Sequence, residues 1–132
     1  MLTAPRFEDK QMKHCLVVDD SDIIRKVARQ LLKDMAFETS EAENGQDALE
    51  RCNERMPDAI LLDWHMPVMS GIEFLSSLRL QQNGGKPVVF YCTTENDPVD
   101  IARALAAGAD EYILKPFDRE AIRSKFAEMG MA

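Results

Sequence analysis

AILLDWHMP, residues 59–67, sets the architecture of this chain. Its first four residues are apolar without polar alternation, which is typical of a strand buried on both faces of a parallel sheet. The strand runs into the carboxylate of Asp63, and Met66-Pro67 then turns the chain. Because ligands of open α/β sheets bind just beyond the carboxyl ends of the strands, Asp63 is a candidate functional residue.

Three other apolar segments have the length of strands, residues 37–42 alternate loosely as in a shorter, more exposed edge strand, and helical periodicity fills the segments between them. Asn44, a capping box from Ser70 to Glu73, and Asp97 before Pro98 mark helix starts. We predict strands at 13–18, 37–42, 59–62, 87–91 and 112–114, with helices starting near residues 22, 44, 70, 97 and 118. This alternation predicts right-handed crossovers, hence an α/β fold with a five-stranded parallel sheet and five helices on its two faces.

The first predicted helix is amphipathic. Apolar residues recur from Ile23 to Met35, whereas Arg25, Lys26 and Arg29 fill the opposite side. Because the apolar stripe of such a helix normally packs on the core, we expect these charged side chains to face solvent.

Length and charge limit what the chain can do. Its 132 residues suffice for one domain with a full core. We expect residues 1–12 to be a disordered N-terminal extension and residues 13–130 to form the domain. A net charge of −7 argues against nucleic-acid and anionic-membrane partners. Three cysteines without a CxxC pair, and no apolar run long enough for a membrane helix, predict a cytoplasmic protein.

Polar side chains follow four of the predicted strands: Asp19 and Asp20, Asp63, Thr93, and Lys115. The carboxyl ends of parallel strands share one edge of the sheet, so we expect these side chains to converge there. Each alone has a simpler interpretation: a helix cap for Asp20, a loop hydroxyl for Thr93, a solvated charge for Lys115. Their joint position favours a functional site.

Three carboxylates in one place repel each other unless a cation compensates them. Oxygen ligands without clustered cysteine or histidine favour a hard ion, and carboxylates that leave room for water and phosphate suit Mg²⁺ better than Ca²⁺. With the ammonium of Lys115 and the hydroxyl of Thr93, the site suits a phosphoryl group. Asp63 is then the candidate nucleophile, forming an aspartyl phosphate.

Four features together resemble the receiver domain of response regulators: VDDS at 18–21, LDWHMPVMSG at 62–71, Thr93, and YILKPF at 112–117. They stand in the order and spacing of that family, and the likeness covers residues 13–129. The resemblance implies the strand order 2-1-3-4-5 of a flavodoxin-like sheet.

The resemblance also implies the role of each acidic residue. Asp63 would accept a phosphoryl group from a sensor histidine kinase or a histidine phosphotransfer protein. Asp20 and Asp63 would ligate Mg²⁺ together with the main-chain carbonyl of His65, and Asp19 would act through a bound water.

The remaining implied roles concern the switch. Lys115 would contact the phosphoryl oxygens, with a cis Lys115-Pro116 bond. Thr93 would move inward to the phosphate, and Tyr112 would swing from exposed to buried, unless it is only an edge-strand aromatic. The output surface would be the fourth helix, the last strand and the last helix, which carry Arg103, Asp110, Glu111, Arg119 and Arg123.

Three residues modify the family pattern near the site. His65 stands where many members carry Asn or another small polar residue, and we hypothesise that it tunes the lifetime of phospho-Asp63; the alternative is that it only lends its carbonyl. Thr94 follows Thr93 where Ala or Gly is common, and with Glu95 it is expected to narrow access to the site.

The favoured function is therefore a phosphorylation switch, not an enzyme with an external substrate. Its downstream target would be a flagellar motor switch protein or a kinase, and the unphosphorylated chain is expected to be a monomer. A phosphorelay shuttle or a phosphate sink would have the same sequence features. A haloacid-dehalogenase-type phosphatase is a remote alternative, because those enzymes carry an acid where this chain has His65. No residues remain after the last helix for a DNA-binding domain, so we expect none from this chain.

Overall fold

The computed structural model describes residues 12–64, 66, 68–94 and 98–131. In this part of the chain five strands alternate with five helices, as predicted. The elements are β1 (His14–Val18), α1 (Asp22–Asp34), β2 (Glu38–Ala42), α2 (Gly45–Glu54), β3 (Ala59–Asp63), α3 (Gly71–Leu80), β4 (Val88–Thr93), α4 (Pro98–Ala107), β5 (Glu111–Leu114) and α5 (Arg119–Glu128).

The five strands form one parallel sheet in the order β2-β1-β3-β4-β5. This order and the α/β fold class are confirmed. β4 runs two residues further than the sequence indicated, because Thr93 pairs with Leu114 of β5. The pairing of Asp63 with Cys92 aligns the ends of β3 and β4, which places their last side chains at the same edge.

Hydrophobic residues fill both faces of the sheet. Alternate residues of β3 pack on opposite faces of the sheet. Ile60 and Leu62 lie in a cluster with Phe74 of α3, whereas Leu61 lies in a second cluster with Phe126 of α5. This two-sided burial explains why the strand sequence is continuously apolar. The three cysteines are free and buried.

Helix starts follow the sequence signals where the structure describes them. The capping box of Ser70 and Glu73 is present, and Asn44 caps α2. Ser21, rather than Asp20, caps α1. Asp97 and residues 1–11 of the predicted N-terminal extension lie outside the described residues. No helix among those described is both long and apolar enough to cross a membrane.

The expected orientation of α1 is wrong at Arg25. Its side chain is buried, at 9% relative exposure, whereas Ile23 is 74% exposed and Val27 is 46% exposed. The physical reason is that the guanidinium finds acceptors on the sheet side, in the main chain of Asp19 and the carboxylate of Glu41 on β2. Hydrogen bonds to these groups outweigh the hydrophobic pattern at this position.

Candidate phosphoryl and cation site

The carboxyl edge of the sheet brings together the predicted acidic residues and Lys115. Nζ of Lys115 lies 2.6 Å from Oδ2 of Asp19 and 3.1 Å from Oδ1 of Asp63. Asp19 and Asp63 are buried, whereas Asp20 is exposed at the rim. Thr93 is buried at the end of β4, and its carbonyl accepts from the amide of Lys115 at 2.8 Å.

Asp19 is fixed through every polar group that it has. Its amide donates to the carbonyl of Ala42, and its Oδ1 accepts from the amide of Ser21 at 2.9 Å. Its Oδ2 accepts from Lys115, and its carbonyl accepts from Nη1 of Arg25 at 2.6 Å. The turn that leads from Asp19 to Asp20 therefore has a defined geometry.

The end of β3 is packed tightly against the start of α3. The amide of Gly71 donates to the carbonyl of Trp64, and a Cβ at position 71 would lie only 2.8 Å from the carbonyl oxygen of Asp63. Trp64 is buried and packs edge-on against Tyr91, with ring centroids 4.5 Å apart. Gly71 thus allows the close approach that holds Asp63 in place.

Burial and charge shift the protonation equilibria of the site. Burial, the largest effect, raises the pKa of Asp63; the charge of Lys115 opposes the rise, and that of Asp19 adds to it. Burial works to lower the pKa of Lys115, but its hydrogen bond to Asp19 and the charges of both carboxylates outweigh burial and raise this pKa. The two shifts are consistent, because one ammonium is shared between two carboxylates. The negative charge of Asp63 is therefore only partly balanced, whereas the side chain of Lys115 is kept in its charged form.

One oxygen atom from each of Asp19, Asp20 and Asp63 can be chosen so that all three lie within 4.8 Å of one another. This arrangement of carboxylate oxygens could hold a metal ion, and it fits a hard divalent cation. Asp19, Asp63 and Lys115 also help to line a small cavity whose other lining residues are apolar.

The structure also describes most of the implied switch region. The Lys115-Pro116 peptide bond is cis, as expected from the resemblance. Tyr112 is half-buried on β5; Nζ of Lys125 lies 4.5 Å from its ring centroid and 3.4 Å from a carboxylate oxygen of Glu111. No sequence pattern indicates this cation–π contact, because Lys125 lies on α5 and meets Tyr112 only in the folded chain.

One residue assigned to the output surface has its hydrogen-bond partners outside α4, β5 and α5. Oδ2 of Asp110 accepts from Arg79 at 3.1 Å and from the amide of Val89 at 2.8 Å, at the start of β4. Asp110 is therefore tied to the opposite edge of the sheet from Asp63. Apolar side chains are exposed on α4 and β5 instead, namely those of Val99, Leu105 and Leu114.

Two of the three residues expected to modulate the site, His65 and Glu95, lie outside the described residues, as does the carbonyl of His65 assigned to the metal. Thr94 is exposed. The structure adds two residues that the sequence analysis missed. Gly71 was visible only as part of the motif, and Arg25 had been assigned to solvent.

The fold and the carboxylate cluster define a flavodoxin-like α/β protein with a potential cation site at its carboxyl edge. Residues 15–127 match the response regulator receiver domain family. The chain belongs to this family, and so to two-component signalling.

Similar proteins include chemotaxis protein CheY of Halobacterium salinarum, which is 33% identical over 117 residues, covering 89% of this chain and 96% of that protein. The solved structure of CheY4 from Vibrio cholerae aligns with a TM-score of 0.85 and 32% identity, covering 89% of this chain and 98% of that chain. A receiver domain of a sensor histidine kinase from Pseudomonas aeruginosa PAO1, solved with a magnesium ion in its active site cleft, has a TM-score of 0.81 and 25% identity, covering 89% of this chain and 96% of that chain.

Proposed function

We propose that Asp63 accepts a phosphoryl group from a sensor histidine kinase or a histidine phosphotransfer protein. The observation that carries this proposal is the position of Asp63: a buried carboxylate at a strand end, in contact with Lys115 and grouped with two further acids. In the transfer, a carboxylate oxygen of Asp63 attacks phosphorus. The bond from phosphorus to the donor imidazole breaks, and an acyl phosphate and a free histidine result.

The acidic cluster fits Mg²⁺, which we propose as the cofactor. Asp20 and Asp63 would hold it directly with the carbonyl of His65, and Asp19 through a water. The magnesium in the Pseudomonas receiver domain supports this assignment. When bound, Mg²⁺ supplies positive charge that stabilises the phosphoryl oxygens.

Lys115 and Thr93 orient the phosphoryl group. The raised pKa of Lys115 keeps its ammonium charged at neutral pH, so that it can move from the carboxylates to a phosphoryl oxygen. The hydroxyl of Thr93 donates to a second oxygen when the β4 end moves inward. Both contacts exist only after phosphorylation, so they favour one conformation over the other.

This population shift reaches the surface of α4, β5 and α5 through Tyr112. Inward movement of its ring would break the contact with Lys125 and change the charge pattern beside Glu111. A protein partner that binds only the shifted surface reads the signal. A difference of a few kcal/mol between the two states suffices for such a switch.

The chain acts as a stand-alone cytoplasmic switch in motility, with a flagellar motor switch protein or a kinase as its target, and has no turnover of external substrates beyond its own phosphorylation and dephosphorylation. The support is its similarity to two CheY proteins over nearly their whole length.

The test uses acetyl phosphate and Mg²⁺ with Trp64 emission as the signal, because Trp64 is the only tryptophan and adjoins Asp63. Emission should change in the wild type and in the surface control Asp34→Asn, but not in Asp63→Asn or after chelation of the metal. A response in Asp63→Asn equal to that of the wild type would refute the proposal. Phosphorylation-dependent binding of a purified motor switch protein would identify the motor role, and transfer to a histidine phosphotransfer protein would identify a shuttle.

A further inference from the structure

Arg25 connects three elements beside the acidic cluster. Its Nη1 donates to the carbonyl of Asp19 at 2.6 Å, its Nε donates to Glu41 of β2 at 2.7 Å, and its Nη2 pairs with Asp22 of α1. The amide of Arg25 also donates to the carbonyl of Ser21. A buried guanidinium thus holds the loop between β1 and α1 from its main chain and from its side chain.

We propose that Arg25 is a positioning residue that orients the turn from Asp19 to Asp20 for cation binding. The inference rests on the proposed function and extends it to a residue that contacts the main chain of Asp19 and not the three carboxylates themselves. Its basis is the hydrogen bond to the carbonyl of Asp19, because that carbonyl belongs to the peptide unit joining the two acids. The orientation of this peptide plane sets the direction in which the side chain of Asp20 leaves the backbone.

The side chain of Asp20 depends on the orientation of its backbone more than those of Asp19 and Asp63 do. Asp19 and Asp63 are buried and hydrogen-bonded to Lys115, whereas the side chain of Asp20 lies exposed at the rim. Its placement therefore depends on the backbone on which it is mounted. Outer contacts of this kind typically change metal affinity by roughly 10- to 100-fold when they are removed.

The chemistry of the side chain fits the task. Arginine is planar and presents donors in a fixed fork, so that one group can engage Asp19, Glu41 and Asp22 together. A lysine at this position has a single ammonium and cannot reproduce that span. We therefore expect glutamine at position 25 to lower the affinity for Mg²⁺, and lysine to restore it only in part.

A positioning role and a purely electrostatic role of Arg25 predict opposite changes in Mg²⁺ affinity when its charge is removed. A fixed positive charge beside a cation site opposes binding of the cation, so loss of the Arg25 charge alone would strengthen Mg²⁺ binding. Loss of a positioning contact weakens it. The sign of the change in Arg25→Gln therefore separates the two effects.

The experiment is a Mg²⁺ titration of the whole chain, followed by Trp64 emission at constant ionic strength. We expect the Mg²⁺ dissociation constant of Arg25→Gln to rise by about tenfold or more. Two matched controls should stay within about twofold of the wild type, as expected for groups that leave Asp19 untouched. Arg29→Gln removes an equal charge that pairs with the same Glu41, and Glu41→Gln removes the ion pairs while leaving the contact to Asp19.

An unchanged or tighter Mg²⁺ dissociation constant in folded Arg25→Gln would overturn the inference, and so would an equal loss in Glu41→Gln. Urea unfolding with and without Mg²⁺ reports binding even in a destabilised variant, because a ligand raises the stability of the folded state that binds it. If Arg25→Gln does not fold, Arg25→Lys carries the same test, and wild-type affinity in that variant overturns the inference. If the wild type itself bound no Mg²⁺, the proposed cofactor, rather than the role of Arg25, would have failed.

Discussion

The ammonium group of Lys115 donates a 2.6 Å hydrogen bond to Asp19, which lies 96 residues earlier in the chain. The same ammonium reaches Asp63. This one ammonium joins the ends of β1, β3 and β5. Under the proposed function, cation binding and phosphorylation would both rearrange this contact.

Replacement of Lys115 by methionine should destabilise the metal-free protein. Two buried carboxylates lose their shared cation, which costs about 3 kcal/mol of unfolding free energy. Mg²⁺ should recover much of this loss, while acetyl phosphate labels the variant about 100-fold more slowly. Urea unfolding and a labelling time course measure both effects.

Lys86→Met is the control for Lys115→Met. Lys86 is 61% exposed and lies 3.9 Å from Asp58, so its loss should change stability by less than about 1 kcal/mol. Equal stability of the Lys115 and Lys86 variants would show that the buried ion pairs do not support the fold.

Asp63→Asn should stabilise the metal-free protein at neutral pH. Burial raises the pKa of Asp63, so the folded state holds this proton more tightly than the unfolded chain does. The wild type therefore loses stability as the pH rises through the raised pKa, and the neutral amide does not.

The advantage of Asp63→Asn should shrink as the pH falls to about 4, the ordinary pKa of an aspartate. Urea midpoints measured across this range, with Asp34→Asn as the surface control, provide the comparison. An Asp63→Asn variant that is less stable than the wild type at pH 7 would contradict the conclusion that the negative charge of Asp63 is only partly balanced.

Gly71→Ala should displace the backbone that carries Asp63. The added methyl group would lie 2.8 Å from the carbonyl oxygen of Asp63 and 3.2 Å from Cα of Trp64, which forces the end of β3 to shift. We expect a loss of about 1–3 kcal/mol in stability together with weaker Mg²⁺ binding. Gly85→Ala is the matched control, because nothing lies within 4 Å of its added Cβ. Unchanged Mg²⁺ affinity in Gly71→Ala would show that this close packing does not position Asp63.

His14 lies at the opposite edge of the sheet from Asp63, and its titration should make the free energy of unfolding depend on pH. Burial, with the charge of Arg55, lowers the pKa of His14, while Glu38 and Asp58 oppose the shift. The unfolded chain therefore takes up the proton first, and the contribution of His14 is present above about pH 6.5 and lost as the pH falls through the lowered pKa. Urea unfolding between pH 7 and pH 5, values that bracket the ordinary histidine pKa, should show a smaller loss in His14→Gln than in the wild type. Identical pH profiles would exclude this role.

Sequence reasoning succeeded where the structure follows from local pattern and topology. The continuous apolar run before Asp63 indicated a strand buried on both faces, and the parallel sheet then placed Asp19, Asp63 and Lys115 at one edge. Ser70 and Glu73 marked a helix start because both partners of a capping box lie within four residues of each other.

It failed where a side chain is directed by a partner distant in sequence. Arg25 is buried because Glu41 and the carbonyl of Asp19 accept its hydrogen bonds, and Asp110 accepts from Arg79, a partner 31 residues earlier in the chain. The hydrophobic period of a helix does not contain such information. The contact of Lys125 with Tyr112 has the same origin.

The most direct test is mass spectrometry of the chain after incubation with acetyl phosphate and Mg²⁺. We expect the mass gain of one phosphoryl group in the wild type, located on Asp63 by peptide mapping, and no gain in Asp63→Asn. The absence of a gain in the wild type, or an equal gain in Asp63→Asn, would contradict it.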